Sequence, residues 1–253
     1  MAAIANKLEK YGSVEVGELA HELHVTEKTI RHDLDRMEKK GLLKRVHGGA
    51  VSISRQPEDA YASRSRIIGL KAKEEIAKAA FTYYQHVAGE DQVVFIDAGT
   101  TNFEFARYLR NMPLTLITND LLIVSKLSSL EGHLHVTGGR LANNVNRYLV
   151  GADAIEMISR HAFSMCFIGA SSISAQNGFM THTDEDAQVK RAVLARSGER
   201  ICLADHTKFN RSSFVKFADM GQMDVLITDT IDLPTRREFS EAGLRVIAAD
   251  EEP

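Results

Sequence analysis

Two groups of residues carry side chains with chemistry to offer. The first lies in residues 25–51, VTEKTIRHDLDRMEKKGLLKRVHGGAV, which holds seven Lys/Arg against four Asp/Glu. Thr26, Lys28, Thr29, Arg31, His32, Arg36, Arg45 and His47 are among its hydrogen-bond donors. Donors at this density suit phosphate oxygens and the acceptor edges of bases. The second group is FIDAGTTN, residues 95–102, where an apolar run ends in Asp97 and then Gly99, Thr100 and Thr101. Glycine lets the backbone turn closely, and the free amides at a helix start receive an anion. Asp97 at the strand end would accept hydroxyls. A Thr-rich helix cap accounts for the same letters, and spacing alone does not separate the two readings.

The first group needs a helix and a hairpin to present it. Ile4 and Leu8 mark a first helix that ends near Gly12, and EVGELAHEL marks a second with Leu19, Ala20 and Leu23 on one face. After the short turn HVT, Thr26 is a good N-cap for a third helix that stops at Gly41. Its apolar residues Ile30, Leu34 and Met37 form one stripe, and Lys28, His32, Arg36 and Arg31 spread over the rest of the surface. LLKRVHGGAVSIS then predicts two short strands around Gly48-Gly49, with Lys44, Arg45 and His47 at the turn. A charged face on an isolated helix is usually only solvated. Two short helices, a basic outer face and a basic Gly-Gly hairpin together point instead to a winged helix-turn-helix for the DNA major groove.

The second group needs a sheet. From residue 93 onward short apolar strands each end in a small or polar cluster: VVFID, LTLIT, LHVT, MCFIG, ICLA, VLIT and RVIAA. Helical stretches lie between most of them. This alternation predicts an α/β domain with a mainly parallel sheet covered on both faces. Such sheets bind ligands beyond the carboxyl ends of their strands, where the polar clusters fall. The expected organisation is a head over 1–54, a linker over 55–70 and a larger domain over 71–253.

Composition sets limits. The chain has 253 residues, 44% of them hydrophobic, and a net charge of −3, so it is no polycation. Residues 1–56 hold ten Lys/Arg against eight Asp/Glu, a mildly basic head on an acidic body. Cys166 and Cys202 sit in apolar runs and read as buried free thiols of a reducing compartment. No apolar run approaches the roughly 20 residues of a membrane span. The N-terminus lacks a signal-peptide core, so the expected location is cytoplasmic. Neither G-x-G-x-x-G nor a Walker loop is present, and no cofactor is expected. His133 and His135 share a strand face, and His182 is a third histidine, but the sequence supplies no ligand set, so no metal is assigned.

VEVGELAHELHVTEKTIRHDLDRMEKKGLLKRVHGGAV resembles the signature of the DeoR-type bacterial transcription regulators, through ELA, TIR-DL and HGGA. The family pattern has a second arginine where His32 stands and a basic leader before the first helix. DAGTT, TND, GGR, LVGADA, FIGASSI, VKRAVL, LADHTKF and VLITD follow the order of that family's C-terminal domain, which is similar to ribose-phosphate isomerases and CoA transferases. The resemblance implies that a phosphorylated sugar binds there and weakens operator binding. By position it implies phosphate at Gly99, Thr100 and Thr101, with Asp97, Asn119, Asp205 and Lys208 meeting the sugar. Lys190 is a candidate charge partner at the rim, although QVKRAV also reads as a solvated helix face. Gly138 and Gly139 would permit close backbone approach or form an ordinary turn.

The sequence-level reading is a repressor of a carbohydrate operon, with double-stranded operator DNA and a sugar phosphate as partners. Palindromic operators imply a homodimer or homotetramer. The rivals are a phosphosugar isomerase or transferase with an accessory head, and a head that only mediates assembly. Asp184, Glu185 and Asp186 in THTDEDAQVK would have to supply the enzyme's carboxylate. They read more simply as helix-start acids that complement the dipole, so an enzyme is not expected.

Overall fold

The computed structural model describes residues 2–11, 13–39, 42–46, 48–52, 69–90, 92–127, 130–142 and 147–249. His47 and residues 55–68 of the expected linker lie outside them. The chain divides into two compact units, Met1–Leu70 and Lys71–Pro253.

The first unit runs α1 (Ala2–Tyr11), β1 (Ser13–Glu15), α2 (Val16–Glu22), α3 (Glu27–Lys39), β2 (Leu43–Val46) and β3 (Gly49–Ser52). The expected stripe is its core: Ile30, Leu34 and Met37 are buried with Ile4, Leu8, Leu19 and Ala20. Thr26 Oγ1 accepts the Thr29 N–H at 3.2 Å and so caps α3. The hairpin β2–β3 pairs Val46 with Gly49 across two residues, and Gly48 has φ +77°. Strand β1 adds to β3 on the other side, where the sequence predicts only the end of one helix and the start of the next. Its closeness explains the second glycine: a Cβ on Gly49 would lie 2.1 Å from the Val14 carbonyl oxygen.

The second unit opens with α4 (Leu70–Val87) and then β4 (Val93–Ile96), α5 (Thr100–Ala106), β5 (Thr115–Thr118), α6 (Leu121–Lys126) and β6 (His133–Val136). After a small pair, β7 (Arg140–Leu141) and β8 (Leu149–Val150), come α7 (Ala152–Ser159) and β9 (Phe163–Gly169). Strands β10 (Ser172–Ser174) and β11 (Gly178–Thr181) precede α8 (Asp184–Leu194) and β12 (Ser197–Leu203). The chain ends through β13 (Val215–Ala218), β14 (Val225–Thr228), α9 (Leu233–Glu241) and β15 (Arg245–Ala248).

All seven expected strands assemble into one sheet, ordered β15-β14-β12-β9-β4-β5-β6, and every pairing in it is parallel. Alternate residues feed two cores. Val94, Ile96, Met165, Phe167, Ile201 and Leu203 pack with Ile76, Ala80 and Tyr84 of α4 and Phe105 of α5. Phe95, Cys166, Ile168, Cys202 and Leu226 pack with Ile158 of α7, Val189 and Val193 of α8 and Phe239 of α9. Burial on both faces explains the continuous apolar runs. Both cysteines are free and buried. The antiparallel sheet β10-β11-β13 was not expected from sequence. From β4 the chain winds outward through β5 and β6, then returns to β9 on the other side. The carboxyl ends of β4 and β9 are therefore the switch point, where this architecture opens a crevice.

Candidate functional site

On the first unit, Lys28, His32 and Arg36 are exposed on α3 and form no ion pair among the described residues. Arg31 is also exposed and pairs with Glu27 at 2.5 Å. Both partners are more than half exposed, so the pair is weak and easily exchanged. The Thr26 and Thr29 hydroxyls lie 2.9 Å apart and bond to each other. Arg45 departs from its expected place. Its guanidinium folds back onto α3, bonding Asp35 Oδ1 at 2.8 Å and the Arg31 carbonyl at 2.9 Å. The Asp35 carboxylate and the second lone pair of a helical carbonyl hold it there. Arg45 thus ties the hairpin to the helix, and Lys44, its neighbour on β2, is the exposed cation.

On the second unit the switch point is built around Asp97, which is fully buried just past β4. Its Oδ2 accepts the Gly169 N–H from the end of β9 at 3.1 Å and pairs with the Lys190 ammonium. Its Oδ1 has no partner among the described residues. Lys190 also lies 3.5 Å from Asp186 Oδ2 and 5.6 Å over the Phe217 ring. Asp186 in turn accepts the Thr181 hydroxyl. Lys190 is 3% exposed, so it stands inside the sheet's cover and not at a rim or on a solvated face. The sequence missed this because α8 buries Ala187, Val189, Lys190 and Val193 together. Burial raises the Asp97 carboxyl; Lys190 pulls it back part of the way. Burial would lower the Lys190 ammonium, but Asp186 and Asp97 outweigh it and raise it, so it stays charged.

Gly99 starts α5 with φ 153° and ψ 151°, and the helix has neither a side-chain cap nor an acidic residue in its first turn. The Thr100 and Thr101 amides therefore face no competing carboxylate cap. Asn119 is fully buried with both ends of its amide engaged: Oδ1 accepts the Ala98 N–H at 3.0 Å and Nδ2 donates to the Leu149 carbonyl at 3.2 Å. These two bonds make it a buried brace that shapes the Gly99 loop. Asp120, unassigned from sequence, caps α6 and accepts the Gly99 N–H at 3.4 Å. Burial pushes its carboxyl up to about 6 against the pull of the Leu122, Ile123 and Gly99 amides.

Asp205 follows β12 and accepts the Thr207 N–H at 3.0 Å; Lys208 is half-buried on the same turn and makes no ion pair among the described residues. Gly138 is exposed, and a Cβ on it would make only an ordinary 3.7 Å contact with Asp153. Gly139 is the glycine the chain requires, with φ +115° and a Cβ position 2.5 Å from the Val150 carbonyl oxygen. Asp184, Glu185 and Asp186 occupy the first turn of α8 behind the Thr183 cap, as helix-start acids. His133 and His135 are exposed on β6, His182 bonds Ser213, and no metal-holding group of three such residues exists among the described residues. No described helix is long and apolar enough to cross a membrane.

Residues 1–56 match the family described as the DeoR-like helix-turn-helix domain, and residues 69–230 the DeoR C terminal sensor domain. The HTH-type transcriptional regulator GlpR of Haloferax volcanii is 32% identical over 92% of this chain and 90% of its own. A putative aga operon transcriptional repressor of Escherichia coli O157:H7 is 32% identical over 98% of this chain and 92% of its own. The ribose 5-phosphate isomerase A structure from Methanocaldococcus jannaschii covers 56% of this chain and 55% of its own, at 15% identity and a TM-score of 0.40. The two family matches and the identity to these regulators show that the chain belongs to the DeoR family of DNA-binding transcriptional regulators, and its relatives are regulators rather than enzymes.

Proposed function

We propose that this protein represses a carbohydrate operon and leaves its operator when a phosphorylated sugar binds at the carboxyl ends of β4, β9 and β12. The observation that carries the reading is the buried Asp97–Lys190 pair at the switch point, beside a helix start with no cap of its own. Relatives named as a putative aga operon transcriptional repressor and a lactose phosphotransferase system repressor support a sugar-linked operon. The head, residues 1–54, places Lys28, Arg31, His32 and Arg36 against base edges and phosphates. Thr26 and Thr29 meet the backbone, and Arg45 and His47 belong to the wing. Residues 55–70 link it to the sensing domain, 71–253. There Gly99, Thr100 and Thr101 receive the phosphate, Asp97, Asp205 and Lys208 face the sugar, and Asn119, Lys190 and the Gly138-Gly139 turn hold the site's walls. A ligand that prefers one arrangement of the chain over another must change DNA affinity by the same factor. Two-fold operators call for a homodimer or homotetramer.

The test is fluorescence polarisation on a labelled fragment from upstream of the protein's own operon, at fixed salt, with and without a panel of sugar phosphates. Specific binding reversed by one sugar phosphate is the expected result. Thr100→Ala and Lys208→Ala should each blunt that reversal. Normal release of DNA by both variants would place the effector elsewhere.

A further inference from the structure

The strand next to β9 ends in a side-chain pair that the reading above leaves unused. His206 opens the short turn after β12, and Asp229 follows β14. The two strands are adjacent, with Leu203 opposite Ile227, and Leu203 also faces Gly169 of β9. Asp229 grips His206 twice. Its Oδ1 accepts the His206 backbone N–H at 2.8 Å, and its Oδ2 lies 2.5 Å from the ring Nδ1. The carboxylate side chain is 7% exposed and the imidazole 51% exposed. Burial would raise the Asp229 carboxyl, but the bonds from His206 outweigh it and hold it below the usual range. Asp229 therefore stays ionised and takes a proton on Nδ1 as its partner, which fixes both the ring's direction and its tautomer.

We propose that His206 is a ligand-reading residue of the sensor: its Nε2, pointed outward by Asp229, bonds a hydroxyl or phosphate oxygen of the sugar phosphate. The inference deepens the effector reading above and rests on it. Three features carry it. The ring sits at the carboxyl end of the sheet, on the same turn as Asp205 and Lys208. Two strand spacings, about 10 Å, separate β12 from β4, a gap that a sugar phosphate anchored at Gly99–Thr101 can span. Asp229 Oδ1 also accepts the Thr228 hydroxyl at 3.2 Å, but among the described residues its Oδ2 meets His206 alone, so a buried carboxylate oxygen is given over to orienting a half-exposed ring. Asp229 is then the positioning residue and His206 the contact.

Amide side chains separate contact from structure. His206→Asn keeps a donor near the place of Nδ1, and so the Asp229 bond, but lacks Nε2. His206→Gln reaches the place of Nε2 and gives up the Asp229 bond. The experiment measures melting shifts of the full chain against concentration for ribose 5-phosphate, glucose 6-phosphate, fructose 6-phosphate and inorganic phosphate. The expected result is an unliganded His206→Asn that melts like the wild type, with its half-saturating concentration for the best wild-type ligand raised about 10–100-fold. His206→Gln should bind that ligand better than His206→Asn does, despite melting lower. Asp229→Asn should weaken binding and shift the order of preference among the sugar phosphates. A His206→Asn variant that binds every ligand as the wild type does overturns the inference and leaves the effector reading standing. A wild type that responds to inorganic phosphate and sugar phosphates alike, or to none, overturns that reading and the inference with it.

Discussion

Replacing Lys190 by methionine isolates the buried pair on which the sensor is built. Methionine keeps most of the stem's volume, so packing against Phe217 changes little, but the charge disappears. Asp97 is then a carboxylate with no exposed surface and no counter-ion. Removing one partner of a buried pair costs about 3–5 kcal/mol. For a unit of this size, about 2–4 °C per kcal/mol makes that a fall of roughly 6–20 °C in the melting temperature of the second unit at pH 8. The pH dependence carries the sign. Without Lys190 the Asp97 pKa rises further, and the folded state binds a proton that the unfolded chain releases. Stability of the variant is then regained as pH falls through the raised value, so its deficit against the wild type shrinks from pH 8 to pH 5. Calorimetry on the full chain at several pH values reads both effects. A deficit under about 1 kcal/mol, or one that does not change with pH, refutes the argument. Asp97→Asn in the same chain should recover part of the loss, because it removes the more deeply buried of the two carboxylates, Asp97 and Asp186, that lose their cation.

The remaining predictions concern single sites. Arg31→Ala should weaken operator binding by about 10–100-fold, the worth of one bidentate base contact, and barely move the melting temperature, since its Glu27 pair is exposed; polarisation and melting read the two effects. Gly49→Ala puts a Cβ 2.1 Å from a backbone carbonyl, so the head should lose about 1–3 kcal/mol and operator binding with it, seen by circular dichroism at rising temperature. Asp120, raised from 3.8 to about 6 by burial, contributes stability that is present at low pH and lost as pH climbs through about 6. Asp120→Asn still caps α6, and it should flatten the stability curve between pH 4 and 7 by about 3 kcal/mol at 1.36 kcal/mol per pH unit. Urea titrations across that range would show an unchanged slope if the reasoning is wrong.

The strands of the main sheet were legible because burial on both faces writes itself as unbroken apolar runs, and α3 because its stripe repeats at helical spacing. Strand β1 was not, since Ser13–Glu15 has one apolar residue, Val14, and that residue pairs with Ala50, 36 positions away. The sheet β10-β11-β13 is likewise short and joins distant segments. At the site, Asp97 and the Gly99–Thr101 loop stood out because a strand end and a helix start meet there. Lys190 looked like any lysine on a polar helix, and only the packing of α8 on the sheet puts it beside Asp97. The pair of His206 and Asp229 has no local signature, because two strand ends 23 residues apart make it. Arg45 was misplaced for the opposite reason: its type suggests an outward contact, while Asp35 and the Arg31 carbonyl draw it in.

The order of the sheet also bears on how the chain is made. Strand β4 meets β5 after a short excursion, Val93 opposite Thr115, but it meets β9 only when Val94 finds Met165. That second closure spans about three times as much chain and costs about 1 kcal/mol more in loop entropy. Pairings of that range form late in folding. The crevice lies on this seam, so it comes into being only when the amino- and carboxyl-terminal halves of the sheet have joined. A molecule seated across it would hold the two halves together and slow their separation, and a chain synthesised while its ligand is abundant would be protected at its slowest joint.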